Sequence, residues 1–161
     1  GWLKDSVGIH QRSDVPYGMF RSGGIDSSVL LAMMARLNDR PVRTFTAGFS
    51  GTRVVDERIH ARAAAAAAGA DHNEVDFSES DFWALLPGIA AAMDDPAAEY
   101  AILPTYKLAA AAEDAGLKLV LCGEGGDEVF GGYGRYRRVR RPKIFGRRRD
   151  RNRTRLNTSH D

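Results

Sequence analysis

The sequence predicts an α/β protein: a parallel sheet with helices on both faces. Three observations carry this. Short apolar runs alternate with stretches of helical periodicity along the chain. Glycines or prolines stand where the helical patterns stop. Two of the strand-like runs also end in Gly-rich segments bearing acids or hydroxyls, as ligand-binding strand ends of such sheets do.

Each element has its own reason. Trp2, Leu3, Val7 and Ile9, set among Lys4, Asp5, His10 and Arg12, read as the last turns of an amphipathic helix. Val15-Pro16-Tyr17-Gly18-Met19-Phe20 is a short apolar run, a buried strand that ends at Gly23-Gly24. Residues 26–37 follow as a helix, with Val29, Leu30, Met33, Met34 and Leu37 on its apolar face. Pro41 breaks the connection, and residues 42–49 supply a second strand. A helix over residues 56–68 ends at Gly69, a C-terminal cap. Residues 72–77 alternate and form a third strand. Helices over 79–93 and 104–115 follow, the second stopped by Gly116. Residues 117–122 make a fourth strand, which runs into the Gly-rich segment 123–134.

The 161 residues suffice for one domain, and 43% hydrophobic with 27% charged residues suits a globular core. The uncharged stretch 82–93 is too short to span a bilayer and contains Pro87 and Gly88. The chain opens with no basic segment leading into an apolar one, so no secretory signal is read. One cysteine, Cys122, allows neither an internal disulfide nor a cysteine-based zinc site. These features point to the cytoplasm, with no membrane partner. Beginning at Gly1 in mid-pattern, the chain is expected to be a fragment, incomplete at both ends.

The net charge of +2 hides a division. Residues 1–133 hold 11 Lys+Arg against 19 Asp+Glu, whereas residues 134–161 hold 12 against 2. The expected organisation is a domain over 1–138 and a basic tail over 139–161, disordered or aberrant. Such a tail binds nucleic acid only non-specifically, through phosphates.

The first Gly-rich segment, Ser22-Gly23-Gly24-Ile25-Asp26-Ser27-Ser28, has the parts of an anion cradle. Its glycines bring amides close to a ligand, and the helix behind adds unpaired N–H groups and a positive dipole end. No lysine is present, so the segment is not the usual G-x-x-x-x-G-K-[ST] loop; with Asp26 it suits a phosphate chain arriving with Mg²⁺. The equal alternative is a Gly-Gly turn capped by Asp26, its serines satisfying the helix end. The second segment places Glu124, Asp127 and Glu128 among glycines. Either it offers hard carboxylate oxygens to Mg²⁺, or it is a solvated acidic loop.

The first segment matches the SGG[IL]DSS pyrophosphate loop of the ATP-pyrophosphatase superfamily. Val15-Pro16 and Gly18, Thr44-Phe45-Thr46-Ala47-Gly48-Phe49, Asp56-Glu57, Pro104-Thr105-Tyr106 and Gly123-Glu124-Gly125-Gly126-Asp127-Glu128-Val129-Phe130-Gly131-Gly132-Tyr133 occur with it, in order. Over residues 1–138 the chain thereby resembles the synthetase domain of glutamine-hydrolysing asparagine synthetases. The resemblance implies an adenine nucleotide alpha-hydrolase-like (ATP-pyrophosphatase) fold. It also implies ATP-dependent amidation of aspartate through β-aspartyl-AMP, with ammonia from glutamine supplied by a glutaminase domain missing from this chain.

By position, the resemblance assigns Ser22, Gly23, Gly24, Asp26, Ser27 and Ser28 to the pyrophosphate. Arg21, Ala47, Cys122 and Gly123 would line adenosine, Asp26 and Asp127 would hold Mg²⁺, and Glu124 would lie by the aspartyl intermediate. Catalysis then rests on Glu124, Asp127 and Asp26. Two positions depart from the pattern: Arg21 stands where leucine is usual, and Cys122 where serine is common. Arg21 brings a charge beside the nucleotide, and Cys122 is expected to be buried and inert. A related amidotransferase acting on another carboxylate, or a non-catalytic nucleotide-binding fragment, are the alternatives. The four histidines show no ligand spacing, and Phe82 and Trp83 are expected in the core.

Overall fold

A computed structural model describes residues 1–50, 56–95, 101–134 and 136. The chain divides into two compact units, residues 1–123 and residues from 124 onward. The tail 139–161, and most of the Asp94-Asp95-Pro96 connection to the next helix, fall outside the described residues.

The first unit runs α1 (Trp2–His10), β1 (Tyr17–Phe20), α2 (Ile25–Leu37), β2 (Arg43–Gly48), α3 (Arg58–Ala67), β3 (Asp71–Asp76), α4 (Glu79–Ala92), α5 (Ile102–Asp114) and β4 (Leu119–Leu121). The strands form one parallel sheet in the order β3-β2-β1-β4. Met19 lies opposite Thr44 on one side and Leu121 on the other, so β1 is an inner strand. Two of the helix stops were legible as local signals. Gly69 (φ 63°) and Gly116 (φ 78°) take the left-handed conformation just past α3 and α5. There Ala70 N–H donates to Ala65 O and Leu117 N–H to Ala112 O.

Alternation along β1 and β2 sends side chains to two separate cores. Met19 packs with Val7, Leu31, Met34, Val42 and Ala65, which puts α1, α2 and α3 over one face. Phe45 packs with Leu108, Ala112 and Leu117, which puts α5 over the other. A third cluster, Phe77, Ile89 and Leu103, joins α4 to α5. From β1 the chain reaches β2 over one face, and it returns to β4 beneath the other. The direction of winding therefore reverses between β1 and β4, the switch point where open parallel sheets bind ligands.

Three expectations are corrected. The buried stripe of α2 is Ser27, Leu31 and Met34, whereas Val29 and Leu37 are exposed. The unbroken run Val29-Leu30-Leu31 leaves periodicity unable to phase the helix. Trp83 is exposed, its ring set edge-on against Phe82. Neighbouring helix residues point about 100° apart, so only Phe82 turns toward the Phe77 cluster. Cys122 is exposed rather than buried, because β4 ends one residue before it. In the second unit, the Gly-rich segment contains a short helix, α6 (Gly126–Phe130).

Among the described residues, no helix is long and apolar enough to cross a membrane.

Candidate functional site

At the carboxyl end of β1, Arg21 N–H extends the ladder by donating to Phe45 O at 2.8 Å. The chain then turns through Ser22 and Gly23 to Gly24, the extended N-cap residue of α2 (φ −72°, ψ 163°). No side chain caps this helix. The first bond of its ladder is Ser28 N–H to Gly24 O, at 3.2 Å. The amides of Ile25, Asp26 and Ser27 thus lead the helix as open donors, at the positive end of its dipole. The contrast is α4, whose N-terminus is closed by a reciprocal pair: Ser78 Oγ accepts from Asp81 N–H, and Asp81 accepts from Ser78 N–H.

The serine hydroxyls are occupied within the loop. Ser28 Oγ donates to Gly24 O at 2.8 Å. Ser27 Oγ has Ser22 O at 2.9 Å and Gly24 O at 3.1 Å for its single hydrogen. Ser22 Oγ accepts from Gly24 N–H at 3.2 Å and lies 3.2 Å from Ser27 Oγ. Asp26 does not cap α2, so that part of the alternative reading is corrected. The serines satisfy the helix end, and the backbone amides stay available for an anion.

Two neighbours shape the loop. Glu57, the residue before α3, accepts from Gly23 N–H at 3.0 Å. A side chain at 23 would meet Glu57 Cβ at 2.8 Å and its carbonyl at 3.0 Å, so the close approach requires glycine. Sequence reading noted Asp56-Glu57 only as a motif and missed this contact. From the other side, β4 delivers Gly123 against the first turn of α2. A Cβ there would lie 3.2 Å from Ser27 N.

The Arg21 side chain turns away from solvent. It is 3% exposed, with Nη1 donating to Ala61 O of α3 and Nη2 to Ser28 Oγ at 2.9 Å. Burial lowers its pKa from the usual arginine value. Asp26 is exposed in the first turn of α2, and Ala47 is half-buried at the end of β2.

Ion pairs tie α3 to β3 nearby. Arg58 bonds Asp56 through Nε at 2.9 Å and Asp76 through Nη1 at 2.9 Å. Its bonds hold Asp56 below the usual carboxylate pKa. Arg62 grips Glu74 with two bonds of 2.9 Å and lowers its pKa likewise. His72 Nδ1 meets Thr44 Oγ1 at 2.9 Å, and burial lowers its pKa against the pull of Glu74.

In the second unit, Asp127 and Glu128 open α6, and Glu124 is exposed before it. The Asp127 carboxylate folds over Gly132, whose N–H donates to Asp127 O at 3.0 Å. Tyr133 OH donates to Glu128 Oε1 at 2.7 Å. Among the described residues, no three His, Cys, Asp or Glu side chains gather as a metal site. Mg²⁺ needs only one or two carboxylates when phosphates supply its other ligands, and exposed Asp26 beside open amides fits that role. A cleft of about 490 Å³, lined by Tyr17, Asn38, Arg40, Arg43 and Gly116 among others, opens where the strands begin. It lies at the opposite sheet edge from the glycine loop.

A helix without a side-chain cap follows a Gly-Gly turn at the switch point of a doubly wound parallel sheet, the place where α/β proteins of this class bind ligands. The fold is that of the ATP pyrophosphatases. The structure is similar to an NH3-dependent NAD synthetase from Campylobacter jejuni, with a TM-score of 0.53 at 15% identity, covering 83% of this chain and 58% of that one. The chain belongs to the asparagine synthase family, whose model matches residues 1–160.

It is 44% identical over 137 residues to a putative glutamine-hydrolysing asparagine synthetase of Mycobacterium tuberculosis, covering 84% of this chain and 20% of the relative. It is 40% identical over 145 residues to asparagine synthetase 1 of Bacillus subtilis, covering 90% and 22%. To asparagine synthetase B of Escherichia coli it is 32% identical over 146 residues, covering 81% and 26%. The chain thus spans about a fifth to a quarter of the length of these relatives.

Proposed function

We propose that this chain carries the ATP-activating site of an asparagine synthetase. The observation supporting this most directly is the open head of α2, where the amides of Ile25, Asp26 and Ser27 have no acceptor among the described residues. In this reading the β- and γ-phosphates of ATP settle on the amides of Ile25, Asp26 and Ser27. The aspartate side-chain carboxylate attacks the α-phosphorus and pyrophosphate leaves, giving β-aspartyl-AMP. Ammonia, released from glutamine by a glutaminase domain of the parent protein, then displaces AMP and yields asparagine.

The amides and the helix dipole stabilise charge that builds on the leaving pyrophosphate. Mg²⁺, held by Asp26 and Asp127, would add Lewis-acid neutralisation of the same charge. Glu124 would stand beside the aspartyl group and take up a proton from the incoming ammonia. Arg21, Ala47, Cys122 and Gly123 border adenosine in this reading, largely through main-chain atoms. The chemistry belongs in the cytoplasm, and the basic tail adds at most sequence-independent nucleic-acid contact.

Titration of the ¹⁵N-labelled chain with inorganic pyrophosphate tests the site, with the Ile25, Asp26 and Ser27 amide resonances expected to move together. Unmoved resonances at millimolar pyrophosphate would refute it. Aspartate-dependent exchange of labelled pyrophosphate into ATP by the parent protein tests the acceptor. Exchange driven equally by other carboxylic acids would remove aspartate from the reading.

A further inference from the structure

A buried guanidinium normally faces a carboxylate, since an unpaired interior charge costs several kcal/mol. Arg21 is 3% exposed, yet among the described residues it forms no ion pair. Its Nη1 and Nη2 are spent on one carbonyl and one hydroxyl, and its Nε has no partner. The nearby carboxylates are otherwise engaged: Glu74 with Arg62, Asp56 and Asp76 with Arg58, and Glu57 with the Gly23 amide. Among the described residues His72 feels Arg21, which adds to the burial that disfavours its protonation.

Arg21 is also placed close to the loop. Its Nη2 reaches Ser28 Oγ, which in turn donates to the carbonyl of Gly24, the N-cap residue of α2. Two hydrogen bonds therefore connect a bare cation to a helix end that is itself positive and uncapped. Without an anion the two positive features oppose each other. With an anion on the open amides, both are satisfied at once.

We propose that Arg21 is a positioning residue whose counter-charge is the ligand's own phosphate chain, bound at the head of α2, since no carboxylate among the described residues pairs with it. This rests on the phosphate site set out under the proposed function. It adds that affinity for the polyphosphate is gained at the expense of stability in the free protein, the usual direction of trade at a strained site.

The test compares the wild-type chain with Arg21→Met and Arg21→Lys, reading the melting temperature without ligand and the dissociation constant for inorganic pyrophosphate by calorimetry. Arg21→Met keeps the bulk and removes the charge. Its ligand-free melting temperature should equal or exceed that of the wild type, while pyrophosphate binding weakens roughly 10-fold, the scale of one charge acting across a partly buried gap. Arg21→Lys keeps the charge but loses the fork. It should stay within about threefold of wild-type affinity even if it melts lower. Should Arg21→Met fail to fold, the lysine variant decides: near-normal affinity in a less stable protein supports the proposal, and a 10-fold loss overturns it. Wild-type affinity in Arg21→Met overturns it too, leaving the phosphate site intact. Failure of the wild type to bind pyrophosphate would remove the phosphate site, and this inference with it.

Discussion

Gly123→Ala isolates one amide of the phosphate site. The added methyl would lie 3.2 Å from Ser27 N, 3.5 Å from its Cα and 3.6 Å from its Cβ, so a shift of a few tenths of an ångström accommodates it. Gly123 is not among the glycines with positive φ, so alanine brings no backbone strain. Restricting the unfolded chain even favours alanine by about 0.4–1 kcal/mol. Folding stability should therefore change little. Binding should change much more, because the methyl occupies the space through which an oxygen would reach the Ser27 amide. A hydrogen bond to a charged group contributes about 1.5–3 kcal/mol, or roughly a 10- to 150-fold loss in affinity. Calorimetry with inorganic pyrophosphate and with ATP·Mg²⁺, alongside a melting curve, reads both quantities. A variant that melts like the wild type and binds like it would show that Ser27 N–H takes no part in the cradle.

The remaining expectations concern the loop's support, its metal and its pH response. Glu57→Gln keeps an acceptor for Gly23 N–H and should retain pyrophosphate binding, whereas Glu57→Ala releases the turn and should weaken it by about 10-fold, on the scale of one charge-assisted bond; equal affinity in both variants would discount the brace. Asp26→Asn or Asp127→Asn in the parent protein should slow aspartate-dependent pyrophosphate exchange by about 100-fold or more and leave glutamine hydrolysis unchanged; normal exchange would remove the altered residue from the mechanism. The folded-state pKa of His72 lies below its unfolded value of about 6.5, so the unfolded chain takes up a proton that the folded one refuses. Stability is then full above pH 6.5 and declines as pH falls toward the folded pKa. Urea midpoints at pH 7.5 and 5.5 should drop more for the wild type than for His72→Gln, and parallel drops would show that other groups govern this range.

How much of this was legible in the sequence depends on whether the deciding interaction was local. The helix stops at Gly69 and Gly116 were readable because a left-handed residue after a helix is a local requirement. The identity of the buried face of α2 was not. Leu30 and Leu31 are chemically alike, and the choice between them falls to the sheet beneath and to α1 and α3 alongside. Trp83 failed for a related reason: hydrophobicity is a property of the residue, while facing the Phe77 cluster is a property of the helix's rotation. The short α6 escaped because five residues among glycines give no periodicity to read.

The glycine loop was legible from sequence, yet the donors it presents were only half read. Its serines suggested hydroxyl donors, but two of the three spend their hydrogens on carbonyls at the start of α2. What remains for a ligand is mostly backbone, and backbone donors are invisible in residue identity. They become visible through place: among the described helices only α4 is closed by a side-chain cap, and α2 is the uncapped one that follows a Gly-Gly turn at the end of the inner strand β1. Ser22, Ser27 and Ser28 thus act as struts that hold the turn open, so that the amides reach an anion without first giving up bonds of their own. On the proposed function, a loop arranged this way would reorganise little on binding, which is where electrostatic stabilisation of a leaving pyrophosphate has its advantage over water. Close packing accounts for glycine at 23, where a Cβ would meet Glu57 Cβ at 2.8 Å, and leaves little room at 123, where it would lie 3.2 Å from Ser27 N.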